Sequence, residues 1–176
     1  MKERFEAGVL IKTCRESSNM SNCPVKLELP GGITGEFTDL VLDYTGTLSK
    51  DGVLLSGVAE RLAGLSGKLR ITILTADTFG KAAEQVKNLP LDFQIIRTGS
   101  DKVEIVEKMG GENVIAVGNG RNDLAMMDKA GLGIAVIGPE GAAAELFQVV
   151  DVVVNDIRDG LDLILHPLRL KATLRD

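Results

Sequence analysis

Four stretches place reactive groups where an apolar run gives way to a turn. In VLDYTGTLS (41–49) an aliphatic run ends at Asp43 and passes into a small TGT turn. In ITILTAD (71–77) a similar run ends at Thr75 and Ala76. SDKVEIVEKM (100–109) carries Lys102 close to its start, and NVIAVGNGRND (113–123) ends in a glycine-rich turn bearing Asn119, Asn122 and Asp123. A carboxylate, a hydroxyl, a lysine and a turn rich in amide and backbone groups make one chemical set. They suit an oxyanion such as phosphate, held together with a hard divalent cation.

Residues so far apart converge only if the chain has a framework that brings turns together. VKLEL (25–29) alternates, PGG marks a turn, and ITGEF (33–37) is placed to return as a hairpin partner. LVLD (40–43), ITILT (71–75), FQIIR (93–97), NVIAVG (113–118), GIAVIG (133–138) and VVV (152–154) read as short, deeply buried strands. Between them VAERLAGLS (58–66), KAAEQVKNL (81–89), SDKVEIVEKMGG (100–111), NDLAMMDKAG (122–131) and GAAAELFQVV (141–150) have helical spacing. A last helix is predicted from Ile157 to Leu165, interrupted by Pro167. Strands alternating with helices across short loops predict a three-layer, Rossmann-like α/β fold, a parallel sheet with helices on both faces. In such sheets ligands bind beyond the carboxyl ends of the strands, which is where the four reactive stretches fall.

Composition narrows the partners. A chain of 176 residues suits one domain, expected over 24–176, after a poorly organised N-terminal extension over 1–23 in which Met20 is a second candidate start. A net charge of −5 with scattered basic residues gives no footprint for nucleic acid or an anionic membrane. Cys14 and Cys23, the only cysteines, read as free thiols, and with one histidine, His166, far away, a zinc site is not expected. No apolar run reaches membrane-spanning length and the start lacks the pattern of a signal peptide, so a cytoplasmic location is expected.

Taken in order, the four stretches resemble the four motifs of the haloacid dehalogenase-like (HAD) hydrolase superfamily, over roughly residues 39 to 155. DYTGTL resembles the DKTGTL of P-type ATPases, LTAD their LTGD, and SDKVEIVEKM with VIAVGNGRNDLAMMDKAGLGIAV their lysine helix and GDGxNDxxAL segment. The likeness is strongest to small soluble P-type ATPase-like proteins. It implies that Asp43 is a nucleophile forming an aspartyl-phosphate and a metal ligand, and that the Thr45 carbonyl and Asn119 face Mg²⁺, with Mn²⁺ as a substitute. It implies further that Thr75, the Ala76 amide and Asn122 hold phosphate oxygens. Lys102 would neutralise the charge on Asp43 and the phosphoryl group, and Asp123 would support them from behind.

Several of these residues have plainer readings. Lys108 competes with Lys102, but a lysine in the last turn suits the helix dipole. Asp77 reads as a helix cap in preference to a metal ligand, Asp123 as a cap or a support, Tyr44 as a packing residue and His166 as a surface residue. Two positions depart from the family. Its phosphatases carry a second aspartate where Thr45 stands, and P-type ATPases an aspartate where Asn119 stands. The first departure predicts slow release of a captured phosphoryl group; the second predicts weak metal binding. The stretch between Asp43 and Thr75 holds one helix and a small flap (LSKDGVLLSG), hence no cap domain is expected. An open mouth would admit a large phosphorylated substrate or be covered by a second copy in a homo-oligomer. The residues therefore predict a slow Mg²⁺-dependent phosphatase or phosphotransferase without ion transport; the alternative is a regulatory module that binds phosphate or a phosphoprotein.

Overall fold

The apolar runs assemble into one six-stranded sheet in which every neighbouring pair is parallel. The computed structural model describes residues 24–29 and 33–175; the expectations for residues 1–23, both cysteines and the PGG turn lie outside the described residues. In chain order the sheet strands are β3 (Asp39–Leu42), β6 (Arg70–Thr75), β7 (Asp92–Ile95), β8 (Val114–Gly118), β9 (Leu132–Val136) and β10 (Val152–Val154). Their spatial order is β10-β9-β8-β3-β6-β7, so the strand leading to Asp43 is central. Two hairpins stand apart: β1 (Val25–Leu29) pairs antiparallel with β2 (Ile33–Phe37), and β4 (Ser49–Lys50) with β5 (Val53–Leu54).

Both sheet faces are covered, as the continuous apolar strands require. Leu40, Leu42, Ile71, Ile73, Ile115, Val117 and Ile134 share one cluster with α1 (Val58–Ser66), α2 (Ala82–Val86), α5 (Ile157–Leu165) and α6 (Pro167–Leu174). Val41, Leu74, Val114, Ala116 and Ala135 face the other way, against α3 (Gly99–Lys108) and α4 (Leu124–Lys129). The alternation of Leu40 and Leu42 against Val41 is the two-residue period of a strand read on both faces.

Several elements differ from their expected bounds. The strand expected over 40–43 runs Asp39–Leu42, because Asp39 already pairs in register with Arg70 and Val114; its buried side chain is bonded by Thr38 Oγ1 at 2.7 Å and Arg70 Nη2 at 2.9 Å. The helix expected over 81–89 shrinks to α2, whose first amides, those of Lys81 and Ala82, donate to Asp77 Oδ1. The segment 141–150 is not an α-helix but a five-residue 3₁₀ turn, Ala144–Gln148. Its Ala143 N–H is tied to Asn119 O and it buries only Leu146 before the chain returns to β10, too little length and apolar contact for a full helix. Another 3₁₀ turn, Arg121–Asp123, leads into α4. The helical tail breaks where expected: α5 ends at Leu165, and Pro167 opens α6, as suits a residue without an N–H at the first helical position.

Candidate active site

Sheet register alone sets the reactive groups on adjacent rungs. Leu42 lies beside Ile73 on one side and Val117 on the other, and Asp43 N donates to Val117 O at 2.9 Å. Asp43 therefore emerges level with Gly118, next to Asn119, and close in register to Thr75.

From the opposite layer α3 delivers Lys102. Its start is fixed by a capping box between Thr98 and Asp101, which puts Lys102 in the first turn, facing the sheet. The lysine is fully buried, and its Nζ donates to Asp43 Oδ1 at 2.6 Å and to Asp123 Oδ1 at 2.5 Å. Asp123 is also fully buried, and its Oδ2 accepts the N–H groups of Asn119 at 3.1 Å and Gly120 at 2.9 Å. One carboxylate thus shapes the glycine-rich turn and orients the lysine. Gly118 makes room for it: a Cβ there would lie 2.4 Å from Asp123 Oδ2. Lys108 lies away from the site, 76% exposed and paired with Glu104.

Two carboxylates and one lysine leave a buried cluster with excess negative charge. Burial, and then the charge of Asp123, push the Asp43 pKa up, against the pull of Lys102 and Thr47. Burial works against the charge on Lys102, yet Asp43 and Asp123 outweigh it and hold its pKa above the ordinary value. The cluster lacks one positive charge.

The far side of Asp43 is organised by Thr47, a residue the sequence reading passed over. Thr47 Oγ1 lies 3.1 Å from Asp43 Oδ2 and 3.1 Å from Asn119 Oδ1. A hydroxyl has one proton, so it satisfies only one of these two acceptors at a time, and the other keeps free lone pairs beside it. Asn119 Nδ2 donates to Gly141 O at 2.9 Å, which fixes the amide with its oxygen towards Thr47. Among the described residues no three His, Cys, Asp or Glu side chains gather into a metal cage. Converging hard oxygens from Asp43 and Asn119, next to an uncompensated negative charge, nevertheless fit a divalent cation that keeps much of its water. The signal for Thr47 was present in TGT, whose second threonine is four residues after Asp43.

The other predicted residues spread around this cluster. Thr75 is fully buried at the end of β6, and its Oγ1 accepts the Asp77 N–H at 3.0 Å. Ala76 is exposed just beyond it, and Asp77 performs the expected capping. Thr45 is half-buried in the turn and bridges to Ser49. Asn122 is exposed, its amide folded over Gly120 and not bonded to the Asp43 cluster. Tyr44 is buried, as expected, and its hydroxyl donates to Gly52 O at 3.1 Å; burial, with the charge of Asp77, pushes its pKa to about 12. His166 is exposed.

This arrangement of a parallel sheet, a strand-end aspartate and a bridging lysine defines a class. The chain belongs to the haloacid dehalogenase-like hydrolase family, whose model matches residues 71–160. Asp43 precedes the matched stretch, so its place in the site rests on the geometry above. A relative of uncharacterised function from Methanocaldococcus jannaschii is 48% identical over 85 residues, 44% of this chain and 91% of that protein. The structure of a 3-deoxy-D-manno-octulosonate 8-phosphate phosphatase from Moraxella catarrhalis, in complex with magnesium, phosphate and its sugar, superposes with a TM-score of 0.64 at 19% identity, over 77% of this chain and 90% of that one. The catalytic domain of the CPx-ATPase CopB-B superposes with a TM-score of 0.54 at 29% identity, over 64% of this chain and 46% of that one. No helix among the described residues is long and apolar enough to cross a membrane.

Proposed function

We propose that this protein is a divalent-cation-dependent phosphohydrolase or phosphotransferase acting through an aspartyl-phosphate on Asp43. The observation that carries the reading is the Lys102 bridge. A buried lysine bonded to two buried carboxylates, one of them at the end of the central strand, is costly to assemble and serves a reacting anion better than it serves stability. Lys102 holds Asp43 Oδ1 and Thr47 steadies Oδ2, so the carboxylate is oriented before substrate arrives. A bound divalent cation would supply the missing positive charge and lower the barrier to approach of a phosphate dianion. Asp43 would attack phosphorus in line, forming an Asp43 Oδ–P bond as the bond to the leaving oxygen breaks. The Thr75 hydroxyl, which accepts from Asp77 N and keeps its own proton to donate, would bind a phosphoryl oxygen together with the Ala76 amide; Asn122, folded over Gly120, would have to turn inward to join them. Water would then attack phosphorus and lose its proton to solvent, since Thr45 offers no base, as the bond to Asp43 breaks and inorganic phosphate leaves.

The structures with TM-scores of 0.64 and 0.54 support a phosphorylated substrate but do not choose it. Between β3 and α1 the described chain inserts only the flap hairpin of β4 and β5, which supports an open mouth and a bulky substrate. The second reading, a module that binds phosphate without useful turnover, is favoured by the neutral Thr45 and Asn119. The deciding experiment is exposure to acetyl phosphate or beryllium fluoride with Mg²⁺. Labelling is expected in the wild type and lost in Asp43→Asn. Equal labelling of both would remove the covalent mechanism, and a wild type that binds Mg²⁺ but never becomes labelled would establish the binding module.

A further inference from the structure

Glu140 stands outside the groups used so far, yet the loop carrying it is stitched into the site. That loop, IGPEGAA (137–143), follows β9. Asn119 Nδ2 donates to Gly141 O at 2.9 Å, Ala143 N donates to Asn119 O at 2.8 Å, and a Cβ on Gly138 would lie 2.9 Å from Gly46 O. The two oxygens of the Glu140 carboxylate meet different neighbours. Oε1 accepts the Asp51 N–H at 2.9 Å. Asp51 and Gly52 form the tip of the flap, both with positive φ (51° and 75°), the conformation a two-residue Asp-Gly hairpin turn needs. Oε2 faces the nucleophile turn. A Cβ on Gly46 would stand 3.1 Å from Glu140 Oε2 and 2.5 Å from Asn119 Nδ2, so the carboxylate and the Asn119 amide flank one point on that turn. Gly46, with φ +78°, leaves the point open.

The flap is fastened on its other side by different means. Tyr44 OH donates to Gly52 O at 3.1 Å, and the Phe79 side chain packs over Gly52, 2.6 Å from where a Cβ would stand. The flap tip is therefore strapped from the β6 side, through Phe79, to the β9 side, through Glu140. The same Glu140 places a full negative charge beside Asn119, the position where the site otherwise offers a neutral amide.

We propose that Glu140 is a positioning residue of the active site: resting on the phosphoryl-transfer reading above, its charge strengthens cation binding beside Asp43 and Asn119 while it fastens the flap tip beside the Asp43 turn. It acts through its field and through Asp51. A charge several ångströms from a divalent ion, at a site open to water, changes affinity by about three- to tenfold at low ionic strength, and by less as salt screens it. Occupation of the cation site and fastening of the flap tip are thereby tied to one side chain.

Two substitutions separate the two roles, because glutamine keeps an oxygen for the Asp51 N–H and loses the charge, whereas alanine loses both. Mn²⁺ binding is read by electron paramagnetic resonance of the free ion, and flap protection by hydrogen exchange of residues 49–54; neither depends on turnover. Glu140→Gln is expected to weaken Mn²⁺ binding about three- to tenfold with wild-type flap exchange. Glu140→Ala should weaken it equally and also speed flap exchange. Wild-type Mn²⁺ affinity in Glu140→Gln, or wild-type flap protection in Glu140→Ala, overturns the proposal. Asp43→Asn keeps this failure distinct from failure of the functional reading. If that variant loses Mn²⁺ affinity and Glu140→Gln does not, the inference falls and the reading stands. If neither loses affinity, the cation site is not beside Asp43 and both fall.

Discussion

Substitution of Asp43 by asparagine removes a titration whose size follows from its surroundings. The Asp43 carboxyl is pushed from 3.8 up to about 7, first by burial and then by the charge of Asp123. Because the folded protein holds this proton more tightly than the unfolded chain does, the stability it contributes is present in full below pH 3.8 and fades as pH rises through about 7. At about 1.4 kcal/mol per pK unit, the wild type should lose on the order of a few kcal/mol relative to Asp43→Asn between about pH 4.5 and about pH 7.5. Asp101, held below the ordinary range by the Arg97 and Thr98 amides, and Asp156 and Asp162, held there by Arg158 and Arg61, run the other way and lose stability as pH falls. The comparison must therefore be the difference between the two proteins. Urea denaturation in EDTA at intervals from about pH 4.5 to about pH 7.5 measures it. The stability of the wild type minus that of the variant should fall steadily with pH. Adding Mg²⁺ should flatten the fall, because a cation favours the ionised carboxylate. Parallel stability curves in EDTA would show that Lys102 keeps Asp43 ionised throughout, and would refute the claim that the cluster lacks a positive charge.

Two further outcomes concern the departures from the family pattern. Thr45→Asp should hasten decay of the phosphoenzyme formed from acetyl phosphate, by up to about 10²- to 10⁴-fold, since a positioned carboxylate can take a proton from the attacking water and a hydroxyl cannot; equal decay would show that side chain 45 is remote from that water. Asn119→Asp should tighten Mg²⁺ binding measured by calorimetry, because it adds a formal charge to an oxygen that already meets Thr47, the hydroxyl shared with Asp43; unchanged affinity would show that residue 119 does not face the ion.

The sheet was legible because its strands are apolar runs without polar interruption, the mark of burial on both faces. Asp43 was legible for a related reason, since a carboxylate ending such a run and followed by TGT has little structural use. Asp39 shows the limit of that reasoning. It is an equally buried aspartate at the other end of the same strand, and only the three-dimensional neighbourhood, Thr38 and Arg70, gives it a structural role. Lys102 and Lys108 have identical chemistry, and helix phase separated them once the start of α3 was placed. Thr47 was legible only in part and was passed over: its place four residues after Asp43 is a local signal, but its second partner, Asn119, lies far along the chain. Glu140 was not legible, because it gains meaning through a backbone N–H at the tip of a distant hairpin, a contact that leaves no local pattern. The weak helices failed for a comparable reason: the 3₁₀ turn over Ala144–Gln148 owes its form to a tether on Asn119.

The central place of β3 has a consequence for when the site comes into being. Its two neighbours, β6 and β8, are both encoded later in the chain, and each must close a long loop before it can pair. The strand leading to Asp43 can therefore form early and still have no place to lie. Only when the segment through Asp123 is available do the Asp43 amide, the Lys102 bridge and the glycine-rich turn acquire their partners together. Assembly of the reactive centre is thus a late, cooperative event of folding, dominated by contacts distant in sequence. A chain halted before β8 would carry Asp43 without the turn groups that orient Lys102 against it.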